Sequence, residues 1–461
     1  MPDVDVVVVG AGITGLSAAY ELGRRGFTVR VLDARDRPGG VILTERVDGL
    51  LIDAGPDSLL VQKPAALELC RELGLADRLF PTNLPRTAYI YRAGRLHPIP
   101  EASILGFPTR LWPLATSSLF SARGKLRMAR EIWSWPRQSD ADESIASFVR
   151  RHFGDEAVDY VAEPLLAGIH AGDVDRLSIR AAFPRLVEAE ARGGSIIRAF
   201  AARPRSHDGA FKSLPGGIGE LVAALVSALP DDTGGYGAPV DRLDLTPEVR
   251  VHQRGRAPLT ARAALLAVPA WAAAPLVQPF DAELAALCDG IPYWSTATVV
   301  LAYARDEVPH PMLGSGFVVP RKEGLTITAG SFVSSKWPQR APREQALLRA
   351  FLGGARDPDA VDRSDESLIG AAVGDLSAVL GIRHPPSLTR VYRWRRASPQ
   401  QEVGHLARVA RIDERLARLP GLFLSGTGVR GVGIPDCIAD GRATAARIAE
   451  ALSLRPASEG A

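Results

Sequence analysis

The chain has 461 residues, of which 46% are hydrophobic and 23% charged, and its formal net charge is +3. This composition predicts a globular protein of two or three domains and gives no support for nucleic-acid binding. Cys70, Cys288 and Cys437 lie far apart without C-x-x-C spacing, which excludes a disulfide framework and a thiolate zinc site, so we expect no metal. The acidic N-terminus and the prolines in the longest uncharged stretch indicate a cytoplasmic protein without a secretory signal or spanning helix.

The first motif begins with Val4 to Val9, a β-branched run typical of a strand buried in a parallel sheet. A G-x-G-x-x-G turn follows: Gly10 allows a tight turn into a helix, Gly12 lets backbone approach a pyrophosphate, and Gly15 permits close helix packing. A second predicted strand ends in Asp33, 18 residues beyond Gly15, the interval at which a carboxylate binds ribose hydroxyls. Together these features predict a dinucleotide site that disfavours a 2′-phosphate.

The residues after Asp33 indicate which dinucleotide binds. The stretch Arg35-Asp-Arg-Pro-Gly39-Gly40 stands where a nicotinamide dehydrogenase starts its next crossover helix. This double glycine resembles the second phosphate-and-ribose contact of the FAD-binding family that contains amine oxidases, carotenoid desaturases and porphyrinogen oxidases. The resemblance implies an α/β fold with a Rossmann-like FAD-binding domain, a substrate-binding domain with a mixed sheet, and a helical subdomain.

The C-terminal segment contains another glycine-rich turn. Leu422 to Ser425 is a predicted strand, and a helix is predicted to start near Pro435, because proline suits the first helical position. An apolar face at helical spacing follows, so this segment also fits the last α/β unit of a sheet. A helix N-terminus aimed at the flavin N1/C2=O edge would stabilise the negative charge that develops there on reduction.

Two further stretches resemble one branch of that family. Residues Glu163 to Asp173 (EPLLAGIHAGD) are similar to the E-P-L-L-x-G-I-Y-A-G-D signature of protoporphyrinogen and coproporphyrinogen oxidases, and Gly431 to Ile438 are similar to their G-V-G-I-P-D-C-I ending. The resemblance implies the six-electron oxidation of a porphyrinogen to a porphyrin in haem biosynthesis, with FAD as cofactor and O₂ reduced to H₂O₂. Similarity also extends to Gly55-Pro-Asp-Ser58, Leu214-Pro-Gly-Gly217, Trp394, Pro399-Gln400 and Val403-Gly-His405.

The same resemblance identifies the residues expected to hold FAD. Ser425 to Val429 contains neither the aromatic pair nor the cysteine that amine oxidases place beside the flavin, so noncovalent binding is expected. Asp33 replaces a usual Glu, and Val41 stands where relatives carry a basic residue, which removes one phosphate or isoalloxazine contact of the family. The full set is Gly10, Ala11, Gly12, Ile13, Thr14, Gly15, Asp33, Ala34, Arg35, Gly39, Gly40, Val41, Gly55, Pro56, Asp57, Ser58, Val240, Trp394, Gly426, Val432, Gly433 and Ile434.

The choice of porphyrinogen depends on a few positions. Ala88 stands where mitochondrial and plant protoporphyrinogen oxidases carry an arginine, so the resemblance favours coproporphyrinogen III, with protoporphyrinogen IX as the alternative. Lys63 and Arg86 are candidates to pair with substrate propionates, and solvated surface charges are the competing interpretation. Gly168 and His170, which replaces a usual Tyr, are candidates for the cavity wall. No residue is singled out as a catalytic acid or base.

The motifs divide the chain into three expected domains. A discontinuous FAD-binding domain is expected to contain residues 1–75, 205–295 and 390–461, and a substrate-binding domain residues 76–94 and 296–389. Residues 95–204 are predicted to form a helical domain, which corresponds to the part that touches the bilayer in membrane-bound relatives.

Several partners and rival functions stay open at this point. Besides the porphyrinogen and O₂, the resemblance suggests handover of the product to a ferrochelatase and peripheral contact with the inner face of a membrane. The apolar stretch at residues 105–120 would make that contact, or it would cover the substrate cavity. The rival functions are an FAD amine oxidase or desaturase, and a noncatalytic tetrapyrrole carrier in which FAD is structural.

Overall fold

The computed structural model describes residues 2–100, 103–104, 106–201 and 209–454. These residues form two seven-stranded sheets, a helical region and several short β-ladders. The mixed α/β fold predicted from the sequence is confirmed. The short ladders are Thr44–Val47 with Leu50–Asp53, Ser103–Ile104 with Phe107–Pro108, and Leu59–Leu60 with Phe211–Ser213 and Phe80–Pro81.

The first sheet has the N-terminal strand at its centre. Val4–Val9 pairs in parallel with Val29–Leu32 on one side and with Leu259–Leu266 on the other. Val6 and Val8 belong to one hydrophobic core and Val7 and Val9 to another, so both faces of the strand are covered, as its unbroken β-branched run predicts. The spatial order is Gly234–Gly235, Val29–Leu32, Val4–Val9, Leu259–Leu266, Val249–Gln253 and Val240–Asp244, with Leu422–Leu424 paired to Leu259–Leu266.

Helices pack on both faces of this sheet. Ile13–Arg24 and Ile434–Ser453 pack against each other on one face, and their approach requires Gly441, where a Cβ would lie 2.5 Å from the carbonyl O of Thr14. The predicted start of the last helix is confirmed, because Pro435 lies in its first turn. The other helices next to this sheet are Ala65–Glu72, Ala76–Arg78, Gly219–Ser227, Ala270–Val277, Ala282–Asp289 and His405–Leu416.

The second sheet is antiparallel except for one parallel pair, Gly316–Val318 with Ala88–Arg92. The domain boundaries expected at 94/95, 295/296 and 389/390 all fall inside its hydrogen-bonded strands or hairpins. The pairing of the strands determines which residues belong to this sheet, and sequence motifs carry no information on that pairing. The spatial order is Leu388–Pro399, Tyr293–Ala304, Gln345–Gly353, Ala329–Phe332, Gly316–Val318, Ala88–Arg92 and Arg95–Pro98. The associated helices are Arg305–Glu307, Arg321–Glu323, Val333–Lys336, Pro338–Arg340, Gly354–Arg356, Ala360–Asp362 and Asp365–Leu380.

Residues 111–201, which follow the strand Arg95–Pro98 in the chain, are largely helical. Most of the residues in a separate hydrophobic core come from this region. The segment Val158–Ala167, which contains Pro164, is a π-helix that includes the start of the signature Glu163 to Asp173. The rest of that signature, Gly168 to Asp173, follows it and is called the signature loop below. Among the described residues, no helix combines the length and the apolar character needed to cross a bilayer. The helices are Leu111–Thr116, Ala122–Ala129, Arg130–Trp133, Ile145–Phe153, Asp155–Ala157, Val158–Ala167, Gly168–His170, Ile179–Ala182, Pro184–Gly193 and Ile196–Ala201.

Candidate cofactor and substrate site

The glycine-rich turn after the first strand has the geometry that its spacing predicts. Gly10 has a φ of +111°, and a Cβ there would lie 2.4 Å from the carbonyl O of Ala267. A Cβ at Gly15 would lie 1.9 Å from the carbonyl O of Gly10, whereas the space beside Gly12 is open. The helix Ile13–Arg24 begins here without a side-chain cap, so its first N–H groups, including those of Ile13 and Thr14, are suited to bind a phosphate.

Asp33 contacts this turn from the end of the second strand. Its Oδ2 accepts the N–H of Ala11 at 2.7 Å, and its Oδ1 accepts the N–H of Arg35 at 2.8 Å. Ala34 is the residue between Asp33 and Arg35. Each oxygen keeps further acceptor capacity for a ribose hydroxyl. Gly237 N–H donates to the carbonyl of Arg35, which places the start of the strand Val240–Asp244 beside this turn.

The double-glycine loop packs directly on the first turn. Gly39 N–H donates to the carbonyl of Ala11 at 2.8 Å, and a Cβ at Gly40 would lie 3.3 Å from the Cα of Gly12. Arg37 holds this loop by donating to the carbonyls of Pro38, Gly40 and Ile42, a role that the motif comparison missed. Val41 follows the glycines and is exposed.

The loop from Gly55 to Ser58 lies against the double-glycine loop, because a Cβ at Gly55 would lie 2.1 Å from the carbonyl O of Val41. Trp394 Nε1 donates to the carbonyl of Ala54 at 3.2 Å, from a strand of the second sheet. Pro56 links this contact to the buried Asp57.

The carboxylate of Asp57 is occupied by protein groups. Both oxygens accept from Lys336 Nζ at 2.9 and 3.0 Å, Oδ1 also accepts from Ser58 Oγ, and Oδ2 lies 3.3 Å from Arg349 Nη2. Burial alone would raise the pKa of Asp57, but the charges of Lys336 and Arg349 hold it well below its usual range. The Asp57 carboxylate therefore anchors this loop to Lys336 and Arg349, and the expected contact of the Gly55 to Ser58 loop with the cofactor stays a prediction.

Asp53, which sequence reasoning also missed, forms a second buried ion pair at this junction. Arg340 is fully buried and donates to Asp53 Oδ2 and to the carbonyls of Leu214 and Pro215. Asp53 Oδ1 in turn accepts the N–H of Ile218 at 3.0 Å. Asp53 therefore holds the Leu214 to Gly217 segment to the strand Leu50–Asp53, and Arg340 holds it to the helix Pro338–Arg340 beside the second sheet.

The C-terminal turn is held by the last helix itself. Asp440 Oδ2 accepts both Ser425 Oγ at 2.6 Å and the N–H of Gly426 at 3.1 Å, and Gly426 has a φ of +131°. Val432 and Gly433 lead into the helix, which starts at Ile434 without a side-chain cap. This site thus has two uncapped helix N-termini, each preceded by a glycine at its N-cap.

The side chain of Lys63 contacts the first turn of the last helix. Its Nζ contacts the Asp436 carboxylate at 2.6 and 2.7 Å, and its side chain is 46% exposed. Arg86 Nε donates to the carbonyl of Thr82 at 3.1 Å. The strands preceding Lys63 and Arg86 flank the same central strand, Phe211–Ser213, so the two predicted cations border one small sheet.

His170 lies close enough to the Lys63–Asp436 pair for their charges to act on it. Burial lowers the pKa of the His170 imidazole to about 4, and the Lys63 charge acts in the same direction. The ring is therefore neutral at physiological pH, and it packs edge-on to Phe183 with ring centroids 6.0 Å apart. Gly168 is exposed at the start of the same loop.

The signature loop is fastened to the second sheet through its backbone. Gln400 Nε2 donates to the carbonyl of His170 at 2.8 Å, and Ala355 N–H donates to the carbonyl of Ala171 at 2.8 Å. Ala171 has a φ of +50°, and a Cβ at Gly354 would lie 2.5 Å from its carbonyl O. The structure thus connects the predicted cofactor turns, Lys63 and His170 through the start of the last helix.

The residues present fit a dinucleotide with a ring system at the C-terminal turn. Two glycine turns, open space at Gly12 and an acid with spare acceptor capacity define one end, and an uncapped helix N-terminus defines the other. This arrangement defines a dinucleotide-binding protein with two glycine-rich turns.

A comparison with known families agrees with this class. A family model described as flavin containing amine oxidoreductase matches residues 13–449. The chain belongs to the flavin containing amine oxidoreductase family, and it is an oxidoreductase that uses a flavin.

The chain is also similar, over nearly its whole length, to individual proteins of known name. Coproporphyrinogen III oxidase of Bacillus subtilis (strain 168) is 34% identical over 95% of this chain and 96% of that protein. The protein of the same name from Staphylococcus aureus is 31% identical over 96% of this chain and 98% of its own length. Protoporphyrinogen oxidase 2 of Arabidopsis thaliana is 29% identical over 95% of this chain and 92% of its own length.

Solved structures agree in fold. A provisionally named protoporphyrinogen oxidase from Exiguobacterium sp. 255-15 superposes with a TM-score of 0.88 at 31% identity, covering 98% of this chain and 99% of that one. Cyclohexylamine oxidase from Brevibacterium oxydans IH-35A has a TM-score of 0.70 at 21% identity, covering 98% of this chain and 100% of that one, and shares the fold alone.

Proposed function

We propose that this chain oxidises coproporphyrinogen III to coproporphyrin III in haem biosynthesis, with noncovalent FAD as cofactor and O₂, reduced to H₂O₂, as final acceptor. The observation that carries the proposal is its similarity, at 31% to 34% identity over nearly the whole chain, to bacterial proteins named coproporphyrinogen III oxidase. Protoporphyrinogen IX is the second candidate substrate, favoured by the similarity to the Arabidopsis thaliana protein.

When bound, FAD would supply the hydride acceptor for each two-electron step. The chain's own part is binding and orientation. The uncapped N-terminus of Ile13–Arg24 would hold the pyrophosphate, Asp33 the ribose hydroxyls, and the start of Ile434–Ser453 the N1/C2=O edge. Aromatisation of the macrocycle drives the reaction, so the site needs placement and exclusion of water more than a strong acid or base.

Noncovalent binding is supported by the state of the cysteines. Cys437 lies in the first turns of the last helix, and burial raises the pKa of its thiol to about 12. A buried thiol that stays protonated is a poor nucleophile. Cys70 and Cys288 are buried as well, and burial raises each pKa to about 12. Denaturation in trichloroacetic acid should release all the flavin into the supernatant; yellow protein in the pellet would contradict this part of the proposal.

A tetracarboxylate substrate needs cations around an apolar cavity. Lys63 and Arg86 are the proposed propionate partners, and the neutral ring of His170 together with Gly168 the proposed wall. The Lys63 ammonium already pairs with Asp436, so a propionate would join or replace an existing ion pair.

The decisive experiment compares kcat/KM on coproporphyrinogen III and protoporphyrinogen IX under air, monitored by porphyrin fluorescence. We expect a ratio of at least about tenfold in favour of the tetracarboxylate, the value of one charge-assisted contact. A reversed ratio would move the assignment to the second substrate. Turnover of an amine or phytoene with neither porphyrinogen would move it to an amine oxidase or desaturase.

A noncatalytic carrier is separated from an oxidase by anaerobic mixing. An oxidase loses its flavin absorption near 450 nm when porphyrinogen is added, whereas a carrier with structural FAD keeps it. We expect complete bleaching within the mixing time of a manual experiment, because typical turnover rates are on the order of 10 s⁻¹.

The proposal also includes a cytoplasmic location with peripheral contact to an anionic membrane and handover of the porphyrin to a ferrochelatase. The contact is supported by Trp112, Trp133 and Trp135, which are 77%, 70% and 87% exposed, and by nearby exposed arginines such as Arg123 and Arg130. Sedimentation with anionic vesicles should carry down the wild type but not Trp112→Ser/Trp135→Ser. Equal sedimentation of both would refute the contact.

A further inference from the structure

A buried arginine of the second sheet contacts the backbone of the cofactor loops. Arg349 belongs to the strand Gln345–Gly353 and is 6% exposed. Its Nη1 donates to the carbonyls of Asp53 at 2.6 Å and Gly55 at 2.8 Å, and its Nη2 lies 3.3 Å from the Asp57 carboxylate. One guanidinium therefore contacts the last residue of the strand Leu50–Asp53 and two residues of the loop that follows it.

The loop that Arg349 holds transmits its position to the glycine turns by close backbone contact. Gly55 lies against the carbonyl of Val41. Gly40, the residue before Val41, lies against the Cα of Gly12. These approaches leave no room for a methyl group at Gly55, where a Cβ would lie 2.1 Å from the Val41 oxygen. A shift of the Gly55 loop by a few tenths of an ångström would therefore move the turn predicted to bind the cofactor.

A lysine could not make the same set of contacts. The planar guanidinium presents its donors in a fixed fork, whereas an ammonium is a compact point charge on a flexible chain. Lys336 already supplies such a point charge to both oxygens of Asp57. Arg349 is thus the group that ties the loop carbonyls and the Asp57 carboxylate to the strand at once.

We propose that Arg349 is a positioning residue for the flavin: it fixes the Gly55–Ser58 loop against Val41, so that cofactor affinity and orientation depend on a strand of the second sheet. This inference rests on the proposed function, in that FAD is taken to bind at these loops. Arg349 acts through the loop backbone and does not touch the reacting atoms.

The test titrates apoprotein of the wild type and of Arg349→Lys with FAD, following flavin fluorescence quenching. We expect the Kd for FAD to rise about tenfold, because two charge-assisted contacts to the loop are lost. The visible circular dichroism of the bound flavin should change in sign or intensity, since it reports the orientation of the ring system. The melting midpoint of each apoprotein is measured in parallel.

Arg127→Lys is the matched control. Arg127 also donates to backbone carbonyls, those of Arg150, Arg151 and His152, but it lies in the helical region away from these loops. It should lower the melting midpoint and leave the Kd for FAD within twofold of wild type. An unchanged Kd and an unchanged flavin dichroism in Arg349→Lys, or the same changes in Arg127→Lys, would overturn the inference.

A second variant decides the question if Arg349→Lys fails to fold. Asp57→Asn keeps the side-chain shape but removes the charge that Arg349 and Lys336 pair with, so it should raise the Kd for FAD about threefold and alter the same dichroic band. No change in either readout would refute the inference. A wild type that takes up no FAD would instead refute the proposed function, which distinguishes the two failures.

Discussion

The main-chain N–H of Ala11 donates a 2.7 Å hydrogen bond to Oδ2 of Asp33, so the acid at the end of the second strand also fixes the glycine-rich turn. Its other oxygen accepts the N–H of Arg35. In this chain one carboxylate therefore orders two backbone segments and keeps acceptor capacity for the ribose that it is predicted to bind.

Asp33→Asn tests this double role. The amide keeps one acceptor oxygen but turns a donor towards one of the two N–H groups, so one backbone contact is lost and one donor is opposed. We expect the Kd for FAD to rise about tenfold and the free energy of unfolding of the apoprotein to fall by about 1–2 kcal/mol. Asp36→Asn, at an exposed neighbouring position, should change neither quantity. Equal FAD affinity of Asp33→Asn and wild type would contradict the role.

Gly441 sets the distance between the two helices that follow the predicted cofactor turns. A Cβ at Gly441 would lie 2.5 Å from the carbonyl O of Thr14, so Gly441→Ala should separate the helices and lower the free energy of unfolding by about 1–3 kcal/mol. Gly370→Ala is the matched control in the helix Asp365–Leu380, where a Cβ meets nothing within 4 Å. That substitution should stabilise the protein by about 0.5–1 kcal/mol. Urea denaturation of both variants measures the contrast, and destabilisation of the same size in both would refute the packing explanation.

The half-buried His170 makes stability depend on pH. Its pKa of about 4 in the folded chain lies below the value of about 6.5 expected in the unfolded chain. Well above pH 6.5 the ring is neutral in both states and its contribution is fully present. As the pH falls towards 4, the unfolded chain binds a proton that the folded chain excludes, so stability decreases by up to about 3 kcal/mol.

His170→Phe and His170→Tyr should both remove this contribution, because neither side chain titrates between pH 4 and 7. The wild type should therefore lose more stability than either variant when thermal or urea unfolding is followed from pH 7.5 to pH 4.5. Parallel curves for all three proteins would show that the ring is protonated without cost in the folded state.

Local motifs predicted the elements that short stretches of sequence encode. The strand Val4–Val9, the helix that follows Gly12 and the helix around Pro435 are confirmed, since β-branched runs, glycine spacing and N-terminal proline act over a few residues. The run from Thr296 to Tyr303 is also typical of a strand, and the structure has a strand from Tyr293 to Ala304.

The junction between the sheets could not be predicted in this way. Arg349 and Gly55 are separated by 294 residues in the chain, and nothing near either residue distinguishes a buried arginine from a solvated one. The same holds for Arg340 and Asp53. Sequence motifs for the same reason could not show that the Asp57 carboxylate pairs with Lys336 and Arg349.

Lys63→Ala measures the predicted contact with a substrate propionate. Removal of the ammonium should raise KM for coproporphyrinogen III about tenfold with kcat nearly unchanged, because one charge-assisted contact of about 1.5 kcal/mol is lost before the chemical step. Arg86→Ala should have an effect of the same size. Lys322→Ala is the matched control: its side chain is 44% exposed and pairs with Asp159 at 2.9 Å, much as Lys63, 46% exposed, pairs with Asp436. Steady-state kinetics by porphyrin fluorescence should leave Lys322→Ala at wild-type KM, and unchanged KM in both Lys63→Ala and Arg86→Ala would remove these two residues from the substrate site.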